Sequence, residues 1–397
     1  MPEPGPDVLT PDDAGGTAPG DRRFRPDVEG LRAVAIVLVV LFHARVPHVG
    51  GGYVGVDAFF VISGFVITGV LLRRQAADGR TSALAFYARR FRRILPASTL
   101  VIVATVVAAY VVDGRALGSM TADDGSWAAV FLANVHFAAQ AGPGAALRPL
   151  SPLGTFWSLS VEEQFYLVFP AVFIAAFTWA ATRRPRSVLA GVLVVSSLAS
   201  FTLCVLQTHQ LAGTAYFSPF TRAWEFSVGA LVALGTPWFG RLGSRGAAAL
   251  TWAGLLVVIG SALAFTPATV YPGALAAVPV LGAAAVIAGG CADPRAGCER
   301  LLGTASVLWV GRRSYSWYLW HWPVLIVYAE QGGNPPFSLG VRLLLMAAAL
   351  GLAAATYTWV EDPARKIRSR AGVTVVAGLV GSVVLAGVLT VVSEAVR

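Results

Sequence analysis

Apolar residues recur along the chain in runs of up to about twenty, separated by short stretches rich in Arg, Gly and Pro. A helix rises 1.5 Å per residue, so about 20 apolar residues cross roughly 30 Å of hydrocarbon. On that measure eleven segments predict spanning helices: 31–46, 54–73, 94–112, 157–180, 188–207, 220–236, 249–266, 271–290, 314–330, 340–361 and 371–393. The stretch 127–140 (WAAVFLANVHFAAQ) is shorter, is broken by Asn134 and His136, and predicts an interfacial or re-entrant segment. Residues 1–26 carry Pro, Gly and Asp with almost no large apolar side chains and predict a disordered tail. The first apolar run begins only at Leu31, so it reads as a retained span rather than a signal peptide.

Composition fixes the class. The 397 residues are 56% hydrophobic and only 13% charged, where soluble domains carry about 25% charged residues. The expected fold is all-α, a polytopic membrane bundle of about ten core helices plus an eleventh. A nucleic-acid module, a disulfide scaffold and a soluble dinucleotide enzyme are excluded. Cys204, Cys291 and Cys298 form no CxxC pair, and their odd number argues against a disulfide framework.

The net charge of +9 adds direction. With the amino terminus inside, the basic stretches at 22–32, 73–93, 183–186, 241–245, 295–313 and 365–370 all lie on the inner side. A full crossing at 127–140 would turn every later one outward. The expected organisation is a cytoplasmic tail (1–26), a transmembrane domain (27–366), and a linker with an additional helix ending outside (367–397).

Ionisable side chains inside lipid cost at least about 2.5–3.5 kcal/mol each and are functional candidates. Arg32 and His43 are eleven positions apart, close to a whole number of turns, so they share one helix face about 16 Å apart along the axis. A snorkelling arginine is the simpler account of Arg32 alone, and a hydrogen-bonded core histidine competes for His43. Asp57, in the glycine-rich GGGYVGVDAFFVISGFVIT, enters the next helix near His43's end and is a candidate to orient that imidazole; the alternative is an ordinary helix-start carboxylate. Ser63-Gly64 favours close helix packing over a serine nucleophile.

In FYARRFRRILP, Arg89, Arg90, Arg92 and Arg93 stand beside Phe86, Tyr87 and Phe91. An inside-positive loop explains the charge, yet guanidiniums beside aromatics also suit a phosphorylated, ring-bearing ligand such as coenzyme A. An anionic lipid headgroup competes. Glu162 and Glu163 are adjacent in FWSLSVEEQFYLVFP; they diverge by about 100° and cannot both face one group. Arg222 and Glu225 are spaced for a structural i,i+3 pair. His321, among the aromatics of SYSWYLWHWPVLIVY, either lines the His43 cavity or makes a structural hydrogen bond.

RPDVEGLRAVAIVLVVLFHA, GGGYVGVDAFFVISGF, FYARRFRRILP, FWSLSVEEQFYLVFP, SYSWYLWHWP and the closing WVEDPARK resemble, in that order, the membrane-bound acyltransferase-3 family over about residues 24–366. The resemblance implies a bacterial inner-membrane O-acyltransferase. Such an enzyme takes an acyl group, usually acetyl, from cytoplasmic acyl-CoA to a hydroxyl on an extracytoplasmic glycan or glycolipid. It implies no metal and no nucleic-acid partner. It maps the family's Arg-x10-His motif onto Arg32 and His43, with His43 central to transfer, and its glycine-segment Asp onto Asp57. The arginine-rich loop maps onto Arg89, Arg90, Arg92 and Arg93, with Tyr87 beside them at the donor site. Trp157, Glu162 and Glu163 match its WSL-x-x-EEQFY segment; Glu162 is grouped with the catalytic residues, and Trp157, Glu163 and His321 with the cavity lining.

An extended pantetheine arm is about as long as the Arg32–His43 separation, so a donor held at the inner arginines reaches His43 as general base or transient acyl carrier. In many members the eleventh helix leads to an SGNH-type domain; the sequence stops at Arg397, so that domain is expected to be separate or missing. A proton-coupled transporter is the rival from another class, although no paired halves with broken helices are visible. A non-catalytic scaffold is the third reading.

Overall fold

The computed structural model describes residues 24–79, 82–141, 150–179, 184–292, 297–331 and 338–395. The predicted tail falls outside them except for its last three residues, and there Pro26 already opens the first helix, as its fixed φ favours. The described residues are helical, with no strand among them. In chain order the helices are α1 (Pro26–His43), α2 (Gly55–Asp78), α3 (Ala83–Ala129), α4 (Ala133–Gln140), α5 (Phe156–Trp179) and α6 (Pro185–Gln210). Then come α7 (Ala212–Phe217), α8 (Pro219–Leu234), α9 (Thr236–Phe239), α10 (Ser244–Ala264), α11 (Ala277–Gly290) and α12 (Glu299–Leu302). The last four are α13 (Ala305–Gln331), α14 (Leu339–Thr356), α15 (Asp362–Arg365) and α16 (Ala371–Ala395), with a π-helical turn at Tyr357–Glu361 between α14 and α15.

Each of the eleven expected segments falls on a helix, so the chain is an all-α, multi-pass membrane bundle. Among the described residues, seven helices are long and apolar enough to cross a membrane: Gly52–Ala77, Ala83–Ala129, Phe156–Thr178, Pro185–Gln210, Ser244–Ala264, Leu339–Arg365 and Ala371–Ala395. The others explain themselves. Helices α8 and α11 are short, while α1 and α13 carry charged residues. Neighbouring helices cover much of α1, α8 and α11, whose buried positions include Asp27, Arg222 and Glu225. A helix screened from lipid need not be uniformly apolar.

The predicted re-entrant segment is longer than its sequence suggests. Gly114 sits at φ 75°, ψ −158°, a backbone conformation essentially reserved for glycine, and breaks α3 into two limbs. The chain folds back on itself there: Gly118 lies against the Tyr110 ring, and Gly125 against Ile102. Helix α4 then reverses direction again, and His136 ties it to the returning limb through Asp124 Oδ1 at 2.8 Å.

Close helix contacts position the interior. Gly64 of α2 and Gly229 of α8 face each other's helix backbone, and a methyl on Gly64 would collide with the Phe226 carbonyl oxygen. The packing expected of Ser63-Gly64 is therefore present, against α8. Gly64→Ala is expected to destabilise the protein by about 1–3 kcal/mol through overpacking, read as a lowered thermal midpoint in detergent. A midpoint equal to wild type would contradict that close approach. Beside this contact the rings of Phe60, Phe226 and Phe165 stack at 4.4 Å intervals. Helix α13 lies against α1, with Gly311 backed onto the Glu29 carbonyl.

Candidate active site

Helix α1 carries both Arg32 and His43, and α13 runs beside it, with Ser314 meeting the Arg32 guanidinium and His321 meeting the His43 ring. Arg32 donates through Nη2 to Ser314 Oγ at 3.0 Å. About 16 Å along the same helix, His43 Nδ1 lies 2.9 Å from His321 Nε2. The hydrogen-bond partners assign the protons. His321 Nδ1 faces the carbonyl oxygens of Tyr318 (2.8 Å) and Trp317 (3.1 Å), which only accept, so Nδ1 carries the hydrogen. In the neutral ring Nε2 is then an acceptor, and His43 donates to it from Nδ1. His43 Nε2 keeps its lone pair. The Trp322 ring packs at 4.5 Å on the His43 ring. A cavity of about 180 Å³ lies beside this pair, lined among others by His43, Tyr53, Trp157, Tyr216, Tyr318 and Trp322.

Asp57 does not orient His43; His321 does. The Asp57 carboxylate is buried on Arg222 of α8, whose Nη1 lies 2.9 Å from Asp57 Oδ1 and 2.9 Å from Glu225 Oε1. The Arg222–Glu225 pair expected from spacing is present, with Asp57 as its third member. Three aromatic faces surround the guanidinium, those of Trp157, Tyr216 and Tyr271, at 5.1–5.7 Å. Such a cluster fixes helix positions; its carboxylates are committed to a cation and not to the cavity.

A second cavity, of about 70 Å³, lies at the Arg32 end, lined among others by Arg32, Ser63, Arg90, Arg93, Glu162 and Ser314. Arg90 anchors it. Its guanidinium donates to Glu163 Oε1 at 2.8 Å and Glu162 Oε1 at 3.0 Å and stacks 3.4 Å over the Tyr166 ring. Glu162 Oε1 also accepts from Ser63 Oγ (2.7 Å) and the Tyr166 hydroxyl (2.9 Å). One arginine thus bridges both diverging carboxylates. Arg93, one turn beyond Arg90, has no hydrogen-bond partner among the described residues. Its charged surroundings are the guanidiniums of Arg365, Arg32 and Arg90, with the Glu361 carboxylate opposing them. Glu361 is turned inward at the π-helical turn, where it accepts from Ser316 Oγ at 2.7 Å and pairs with Arg365.

The four arginines of the basic segment do not act as one group. Arg90 and Arg93 face the cavity, whereas Arg92 bonds Ser369 and Thr374 at 3.3 Å, joining α3 to the start of α16. Arg89 stands by Arg74 and Arg92, and the Tyr87 hydroxyl donates to the Leu167 carbonyl at 2.8 Å. Helical geometry explains the split, since 89/92 and 90/93 are i,i+3 pairs on faces about 100° apart. Sequence reasoning missed Tyr318, Ser158 and Ser314. For Ser314 and Tyr318 a signal existed, because both share the His321 face of α13 at helical spacing.

The chain belongs to the acyltransferase-3 family: the family's model, described as an acyltransferase domain, matches residues 25–360. Among curated relatives, the peptidoglycan O-acetyltransferase OatA of Listeria monocytogenes is 28% identical over 366 residues, covering 87% of this chain and 56% of that protein. The putative peptidoglycan O-acetyltransferase YrhL of Bacillus subtilis is 30% identical, over 86% of this chain and 55% of its own length. The O-acetyltransferase OatA of Staphylococcus aureus is 28% identical, over 87% and 58%. The chain thus spans a little over half the length of these relatives. No solved structure matches it.

Proposed function

We propose that the chain is an integral-membrane O-acyltransferase that moves an acetyl group from acetyl-CoA to a hydroxyl of an extracytoplasmic glycan, peptidoglycan being the acceptor class its relatives' names favour. The bacterial cytoplasmic membrane is its proposed site, with the amino terminus inside and the carboxyl terminus outside. The observation that carries this reading is the alignment of two features along α1: an arginine cavity at one end and, about 16 Å away, an imidazole whose Nε2 lone pair is left free by its partner.

In this reading Arg93 and Arg32 hold the anionic part of the donor, with Ser63, Ser158 and Ser314 offering hydroxyls along the way. Arg90 holds the Glu162 and Glu163 side chains in place. His43 Nε2 takes the proton of the acceptor hydroxyl as its oxygen attacks the acyl carbonyl carbon; the carbon–sulfur bond breaks, and His43 returns that proton to the leaving thiolate. His321 holds His43 in the required tautomer. A proton-coupled transporter would leave its histidines facing a through-path, and His321 is instead capped by two carbonyls.

The test uses the full chain in lipid nanodiscs with radiolabelled acetyl-CoA. Thioester cleavage and acetylation of added glycan fragments are expected; a transporter or scaffold leaves the thioester intact, and that result would overturn the reading. Arg93→Gln removes a charge-assisted contact worth about 1.5–3 kcal/mol. It is expected to raise KM for acetyl-CoA by about 10–100-fold while kcat falls far less. An unchanged KM would remove Arg93 from the donor site.

A further inference from the structure

The arginine cavity and the His43 cavity are separate spaces with two lining residues in common, Val56 of α2 and Tyr318 of α13. Val56 is a short side chain on a packed helix. Tyr318 is long, and its phenol stands between the two spaces. The hydroxyl is latched at the start of α5, 2.6 Å from Ser158 Oγ and 3.2 Å from the carbonyl oxygen of Thr155 just before it. Phe59 packs edge-on against the ring with centroids 6.3 Å apart.

Both cavities are smaller than the ~300–1,000 Å³ of a usual ligand pocket. A donor spanning from Arg93 to His43 therefore needs the two joined, and the wall between them is the place where joining is least disruptive. Ser158 Oγ already lies 3.3 Å from the Thr155 carbonyl, so it keeps an acceptor when the phenol leaves. The Tyr318 backbone meanwhile holds His321 through its carbonyl. A side-chain rotation opens the wall and leaves the histidine pair where it is.

We propose that Tyr318 determines acyl specificity: its phenol turns aside to admit the donor arm from the arginine cavity, and its bulk, where it lines the His43 cavity, limits the length of acyl chain that cavity can hold. This rests on the transferase reading above, which supplies the donor and the direction of travel. Val56, Phe59 and Ser158 line the arginine cavity beside the Tyr318 phenol.

The experiment compares acetyl-CoA with butyryl-CoA as donors to the full chain in nanodiscs, reading thiol release and acylated glycan. Tyr318→Ala is expected to raise the butyryl-to-acetyl rate ratio at least about 10-fold, the scale on which a pocket discriminates methylene-sized differences. Tyr318→Phe keeps the ring and loses only the latch, so its ratio is expected to stay within about twofold of wild type on that scale. Tyr318→Leu replaces the alanine variant if the latter loses its cooperative thermal transition. A folded alanine or leucine variant with the wild-type ratio overturns the proposal, as does a phenylalanine variant shifted as far as alanine. Wild-type protein that releases thiol from neither donor sinks the transferase reading itself, so the two failures are distinct.

Discussion

Replacing His43 with alanine is expected to lower acetyl transfer by about 10²–10⁴-fold, the usual contribution of a positioned general base. The size follows from how the imidazole is held. Its Nδ1–H is engaged by His321 Nε2 at 2.9 Å, and Trp322 covers one face of the ring. That leaves one nitrogen, Nε2, with a lone pair beside the cavity, and no other imidazole among the described residues lines either cavity of the site. The alanine protein should retain its thermal transition and its affinity for acetyl-CoA, because the arginine cavity lies about ten residues away along α1. Activity measured by thioester cleavage and by glycan acetylation should fall together. A fully active His43→Ala protein would remove the histidine from the chemistry. The two roles open to His43 separate in a rapid-quench experiment with labelled acetyl-CoA: a transient carrier leaves label on the protein, and a general base leaves none.

The second large effect is on stability. Arg222→Ala is expected to cost about 3–5 kcal/mol, the range for breaking a buried ion pair from one side. Asp57 and Glu225 would then be two carboxylates in a dry interior, without the guanidinium Nη1 that serves both at 2.9 Å. Equilibrium unfolding in a fixed detergent reads the loss. A triple variant that also carries Asp57→Asn and Glu225→Gln should recover part of it, because the charges left behind cost more than the pair contributes. A single variant as stable as wild type would show that water reaches this cluster. Its activity is a separate measurement, since none of the three residues touches the His43 ring.

Much of the fold was legible because membrane helices write their length into the chain. Runs such as 188–207 and 371–393 announce themselves. What sequence could not measure was the fold-back at Gly114. Its limb 115–129 carries Asp123 and Asp124, which depress any hydropathy reading, and one glycine among many gives no sign of its φ. The site was legible as a set of residues and not as a set of partners. Arg32 with His43, and Arg222 with Glu225, follow from spacing within one helix. The His43–His321 and Asp57–Arg222 contacts join positions 278 and 165 residues apart, and only packing decides them. Asp57 enters α2 near the His43 end, but packing brings the Arg222 cation of α8 onto its carboxylate, which no spacing rule reveals. The four arginines of 89–93 are neighbours in sequence, but the helix turns only Arg90 and Arg93 of them toward the cavity.

Ser314, Tyr318 and His321 occupy one stripe of α13, within two turns and about 10 Å of one another. In the proposed reaction a single rigid rod would therefore serve as counter-surface for the donor's charged end, as partition, and as mount for the proton acceptor's neighbour. Selection for a roomier passage by tilting that rod would drag the imidazole pair with it, so the economical route to a new acyl preference is exchange of one side chain on a helix that stays put.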